Sequence, residues 1–122
     1  MAKNLHNLGI YLFDVIYEDI AKNMVGNMLP TITAAETPNF YTNWAIVLTD
    51  FIYEPFEVAI VGANYAKLRQ ELDQTYIPNM LLLGGVGEGT IELLDGKLIK
   101  GETTIYVCKN KVCKFPVYHS LT

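Results

Sequence analysis

Charge is scarce in this sequence. Asp, Glu, Lys and Arg supply 18% of its 122 residues, whereas 51% are hydrophobic. A chain this short has a large surface for its volume and should carry a more polar skin than that. The imbalance implies self-association or burial against a larger body. Basic clusters are nearly absent too: the net charge is −4, and only Lys109, Lys111 and Lys114 stand close together. That argues against nucleic acid as a partner, since such binding runs on phosphate neutralisation. No apolar run approaches the roughly 20 residues of a membrane span, so no membrane partner is expected. No charged-then-apolar-then-small segment opens the chain, and the expected compartment is the cytoplasm. Two cysteines do not make a secreted disulfide scaffold. Ser120 is the single serine, and no Gly-x-Ser-x-Gly nucleophile elbow exists.

What is present is organised around Phe56 to Tyr76. Phe56-Glu-Val-Ala-Ile-Val-Gly62 is apolar and β-branched, and suits a strand buried on both faces. Asn64 is a candidate N-cap. Tyr65, Leu68, Leu72 and Tyr76 then recur at helical spacing between charged residues, which predicts a helix lying on a sheet. A second apolar run, Asn79 to Gly85, completes a strand–helix–strand unit.

Ahead of this unit, Asn4 to Leu29 reads as one long helix. Leu5, Leu8, Leu12, Val15, Ile16, Ile20 and Val25 form one stripe, and Ile10, Phe13, Tyr17, Ala21, Met24 and Met28 a second. Together they exceed the ~100° apolar arc of an ordinary surface helix, so the helix needs cover on two sides. Gly9 and Gly26 are either tolerated or admit a close neighbour. Pro30 is expected to stop the helix, although residues 32–35 could extend it. Thr37-Pro38 is a helix start, with Thr37 as N-cap. Phe40, Tyr41, Trp44, Val47, Leu48, Phe51 and Ile52 follow at helical spacing up to Pro55. This aromatic stripe reads as core; a sugar-binding platform is the alternative. After Gly89, Thr90 to Leu94 forms a short element and Asp95-Gly96 a turn. Thr103 to Cys108 has strand composition. Lys109-Asn110-Lys111 should turn the chain into a short edge strand spanning residues 112–117, with a loose tail over residues 118–122. The expected architecture is α+β: a helical hairpin over residues 1–54, then a small βαβ-containing layer over residues 55–122 that ends in a hairpin.

Few residues offer chemistry. Gly84, Gly85, Gly87 and Gly89 invite a phosphate-loop reading, but no Gly-Lys-Ser/Thr follows and the Gly-x-Gly-x-x-Gly spacing fails. Position is the remaining argument, because ligands in open α/β sheets sit beyond strand C-termini. Gly62, Gly85 and Gly87 are the candidate ligand-binding residues on that basis, for a sugar or a nucleotide. Cys108 and Cys113 flank Lys-Asn-Lys-Val, and neighbouring cations favour the thiolate. With Asn110 in a tight turn the pair could reach disulfide distance. Two readings stay open: a redox or disulfide pair, and a small buried hydrophobe at Cys108. A zinc site would need His119 as third ligand and a fourth that is not evident. His6 is expected at the surface or at a packing edge. Glu36, Asp50, Glu54 and Glu57 lie at element ends, where capping and solvation are the expected roles. No cofactor is implied, and a free-standing enzyme is not.

Glu57-Val-Ala-Ile-Val-Gly62, the Tyr76-Ile-Pro-Asn79 junction and above all Tyr106-Val-Cys-Lys-Asn-Lys-Val-Cys-Lys-Phe-Pro-Val117 resemble the C-terminal end of the YyaL-like, spermatogenesis-associated thioredoxin-like proteins. Asn4-Leu-x-x-Leu-Gly with Tyr17 and Ala21 is similar to a late toroid helix of that family. The resemblance spans nearly the whole chain but only the last part of such a protein. It implies a thioredoxin-like domain and an α/α toroid like that of six-hairpin glycosidases elsewhere in the parent chain, with Met1 as an internal methionine. It also implies carbohydrate processing by the parent, and it matches Cys108 and Cys113 to the family ending. The leading expectation is a non-catalytic C-terminal module whose partners are the toroid and thioredoxin-like domain of its parent, or further copies of itself. A redox module using the two cysteines, and small-ligand binding at the strand ends, are the alternatives.

Overall fold

The computed structural model describes residues 1–118. Its elements are helices α1 (Ala2–Leu12), α2 (Val15–Thr33), α3 (Thr42–Ile52) and α4 (Tyr65–Leu72), and strands β1 (Phe56–Val61), β2 (Met80–Gly85), β3 (Thr104–Lys109) and β4 (Val112–Cys113). The fold is α+β. The chain divides into two compact units, Met1–Glu54 and the remainder from Pro55.

The first unit corrects the single-helix expectation. The chain breaks at Phe13, which takes the left-handed conformation with φ 53°. The Asp14 N–H donates to the Gly9 carbonyl at 2.9 Å and the Phe13 N–H to the Ile10 carbonyl at 3.4 Å. This is a Schellman ending with phenylalanine where glycine is usual. Asp14 then starts α2, its carboxylate accepting from the Ile16 N–H at 2.9 Å. A Cβ on Gly9 would stand 2.5 Å from Glu18 Cγ and 3.0 Å from the Asp14 carbonyl oxygen, so glycine lets α2 fold back closely over α1. Gly26 meets nothing within 4 Å and is merely tolerated.

Close approach decides which face of α1 is buried. Ala2, His6, Gly9 and Ile10 are covered, while Leu8 and Leu12 stay exposed. The Leu8 and Leu12 side of α1 is therefore the outer one, whereas Val25, expected in the same stripe, is buried on α2. Pro30 does not stop α2, which continues to Thr33. In the last turn a proline costs only the bond to the Gly26 carbonyl. Thr33 ties the end down, its hydroxyl donating to the Leu29 and Pro30 carbonyls at 2.9 and 3.1 Å. Pro38–Tyr41 forms a 3-10 turn leading into α3, without a side-chain cap from Thr37. Ala2, Val25 and Val47 make the core, joined by Met24, Trp44, Leu48 and Phe51. Phe40, by contrast, points to solvent.

His6 is another correction. It is 2% exposed, packed on Phe51 with ring centroids 4.2 Å apart. Neither ring nitrogen has a hydrogen-bond partner. The expectation failed because His6 shares a face with Ala2 and Gly9, which the hairpin buries.

In the second unit the sheet order is β2-β1-β3-β4. β1 pairs parallel with β2 and antiparallel with β3. Val58 and Ile60 face Leu68 of α4, with Ile105 from β3. Ala59 and Val61 face Leu94, with Leu83, Ile91 and Tyr106 around them. A short 3-10 turn, Glu92–Leu94, supplies this second cover. Helix α4 is shorter than the apolar spacing suggests, because the chain must turn back to start β2 at Met80; Tyr76 is left 89% exposed. Asn64 precedes α4 but gives no side-chain cap.

Burial lowers the His6 pKa below 6.5, against the opposing pull of Glu18, Asp50 and Glu54. The unfolded chain then binds the proton more readily than the folded one, so stability is full above pH 6.5 and declines as pH falls beneath it. The slope should not exceed about 1.4 kcal/mol per pH unit. Denaturant midpoints taken from about pH 7.5 to pH 5.5, where carboxylates scarcely titrate, should show this decline. The His6→Leu variant should show a flat profile over the same range.

Candidate functional site

The C-terminal hairpin brings the two cysteines together. Asn110 and Lys111 both have positive φ, 52° and 65°, as a two-residue type I′ turn requires. Lys109 is thus set opposite Val112, and Cys108 opposite Cys113. The cysteines form a disulfide with Cα atoms 3.9 Å apart. Cys108 is also a buried residue, 1% exposed, so the two readings left open by the sequence describe the same side chain. Cys113 is partly exposed. Beyond it, the Lys114 N–H donates to the Val107 carbonyl at 3.0 Å, and Val117 bridges to Ile105. The expected edge strand over residues 112–117 is therefore present only in part.

The register extends the constellation. Glu57 of β1 lies opposite Cys108 of β3, which lies opposite Cys113 of β4. Side chains at directly opposed positions share a face, with Cβ atoms ~4.5–5.5 Å apart. Glu57 is 4% exposed, which overturns the expectation of a solvated strand-end acid. With a period of two, Glu57 must point the same way as Ala59 and Val61. Both of those are fully buried. The sequence signal was an acid inside an otherwise apolar strand. Glu36 and Glu54 are exposed. Asp50 instead lies 3.9 Å from Lys3 Nζ.

Gly62 and Gly84 have a backbone explanation. Gly62 carries φ 133°, and its N–H donates to the Gly85 carbonyl at 2.9 Å. A Cβ on Gly62 would collide with the Glu102 carbonyl and lie 2.6 Å from Thr103 Cα. One on Gly84 would collide with the Ile60 carbonyl. Gly85 has ordinary room, and Gly87 meets nothing within 4 Å. The fold thus brings Gly62 and Gly85 together, with Gly87 in the loop beyond. In that loop the Glu88 carboxylate accepts from the Leu98 N–H at 2.6 Å. An acid so placed would repel a phosphate. A groove of about 440 Å³ lies beside α4, lined by Asn64, Lys67, Leu68, Glu71, Glu102, Thr103 and Tyr118. None of the three candidate glycines lines it.

Among the described residues, no group of three or more His, Cys, Asp or Glu could hold a metal ion. His119, the ligand that a zinc site would need, lies outside the described residues, as does most of the expected loose tail. No helix of the described residues is long and apolar enough to cross a membrane.

If the strand-end glycines serve backbone packing, Gly62→Ala should destabilise the second unit by about 2 kcal/mol or more, through positive φ and overpacking together. Gly87→Ala, in open space, should change stability by less than about 0.5 kcal/mol. Chemical denaturation of the two variants side by side checks both. Comparison with family models, with curated proteins and with solved structures returns no match.

Proposed function

We propose that the chain is a non-catalytic packing module, which closes and stabilises a larger helical body of the α/α-toroid type that the sequence resembles. Any carbohydrate-related chemistry of that body then lies in its other parts. The apolar outer surface of the α1–α2 hairpin carries this reading. Leu8 and Leu12 are one turn apart on α1, Ile16 and Ile20 one turn apart on α2, and Val15 stands at the turn between them. All five are exposed, Ile16 by 64%. In its 19 residues α2 buries only Ala21 and Val25. Exposed leucines and isoleucines scattered singly need no explanation, but a run of them around one hairpin marks a surface that meets another. Fully burying a side chain of this kind contributes about 1.5–3 kcal/mol, and each of these five, exposed by 38–64%, would contribute part of that toward the cost of association.

Isolated from that partner, the chain should cover the same surface with a second copy. Light scattering across a concentration series should show a dimer or larger species, and the Leu12→Glu/Ile16→Lys double variant should return it to a monomer with its melting cooperativity intact. A cooperatively melting monomer at every concentration, or an association indifferent to the double variant, would refute the proposal.

A further inference from the structure

We infer that the Cys108–Cys113 disulfide is a thiol–disulfide exchange site, in which Cys113 is the sulfur attacked and Cys108 the sulfur released. The inference is independent of the packing role.

Placement carries the inference. The bond links residues five apart across a hairpin whose turn already sets them opposite one another. It closes a short loop, where a crosslink removes the least freedom from the unfolded chain. A disulfide here is poorly placed as a staple. It is well placed for access: β4 is two residues long and stands at the edge of the sheet. The two sulfurs differ in exposure. Cys108 is 1% exposed and Cys113 is partly exposed. An incoming thiolate can reach only Cys113, so the direction of cleavage is set by burial.

Attack at Cys113 Sγ forms a mixed disulfide and breaks the Sγ–Sγ bond, leaving both electrons of that bond on Cys108, which takes a proton from water. The required co-reactant is a dithiol. Its second thiolate attacks its own sulfur in the mixed disulfide and releases Cys113, which also takes a proton from water. The dithiol is oxidised to a disulfide, and the protein pair is reduced by two electrons and two protons. Lys109, Lys111 and Lys114 around the hairpin favour approach of an anionic thiolate.

Dithiothreitol without denaturant is the first probe, with free thiols trapped and counted over time. The expected rate rises in proportion to reductant concentration while the protein remains folded by circular dichroism. A rate that is independent of reductant, and equal to the unfolding rate, would overturn the assignment and make the bond a buried staple. Oxidised glutathione is the second probe, applied to the single-cysteine variants. Cys108→Ser should be glutathionylated at Cys113 at least about tenfold faster than Cys113→Ser is at Cys108; equal rates would remove the assigned direction.

Discussion

The second unit depends on β1 being buried on both faces. Beyond Phe56, which stays exposed, a strand with partners on each edge and cover above and below leaves no water for its side chains, so residues 58–61 must suit an apolar site. Val58, Ile60 and Val61 do, each contributing about 1.5–3 kcal/mol on burial. Ala59 is small because the Glu92–Leu94 turn and Tyr106 press on that face. Gly84 is glycine because the Ile60 carbonyl lies where its Cβ would be. The covers follow from the same need. Helix α4 has one apolar side, and the second face is closed by a three-residue turn whose Leu93 and Leu94 are almost wholly buried. Glu57 enters this environment because it cannot leave it: a period-two strand that buries Ala59 and Val61 buries their neighbour two residues back.

The first unit follows a different constraint, the close approach of two antiparallel helices over small residues. Gly9 and Ala2 let α2 come near, so that Ala2, His6, Gly9 and Ile10 are the covered residues of α1 and Leu8 and Leu12 stay outside. The hairpin so gains a tight seam at the expense of its leucines, which remain in water. Backbone proximity and apolar burial are thus in conflict here, and proximity prevails. His6 is carried inward by the same seam. Its packing on Phe51 offsets the loss of water at the ring only while the ring is neutral, and so this histidine titrates against the fold.

Much of this was legible in the residues, and the failures have local causes. The β1–α4–β2 unit could be read directly because period two changes to period 3.6 at Gly62 and back near Asn79. The Phe13–Asp14 break could not, because Leu8, Leu12, Ile16 and Ile20 keep a four-residue spacing straight through it. Periodicity cannot register a turn that preserves phase; only the capping aspartate gives it away. Pro30 misled for the opposite reason. A proline in the last turn removes one bond from a helix about to end, so its usual meaning as a stop is weakened. Tyr76 fits the helical spacing of α4 but lies beyond Asp73, where the chain is already turning toward β2. Glu57 and His6 were misplaced by the ordinary prior that polar residues face water. In both cases the neighbours at the matching period, Ala59 and Val61 for one and Ala2 and Gly9 for the other, held the contrary information.

The glycines and cysteines show how the same local geometry separates packing from chemistry. Glycines at the ends of two parallel strands look like a ligand cradle, because a cradle and a close backbone crossing both forbid a side chain. They differ in what fills the forbidden space. At Gly62 it is the backbone of residues 102 and 103, and at Gly84 the carbonyl of Ile60, so there the space is occupied by the protein itself; beside Gly85 and Gly87 it stays open. At the hairpin the logic runs the other way. The turn at Asn110 and Lys111 sets Cys108 opposite Cys113 at the edge of the sheet, where the proposed exchange would leave β1 and its two covers in place. A reactive group at the edge of a sheet whose centre is fixed can change state without unfolding its support.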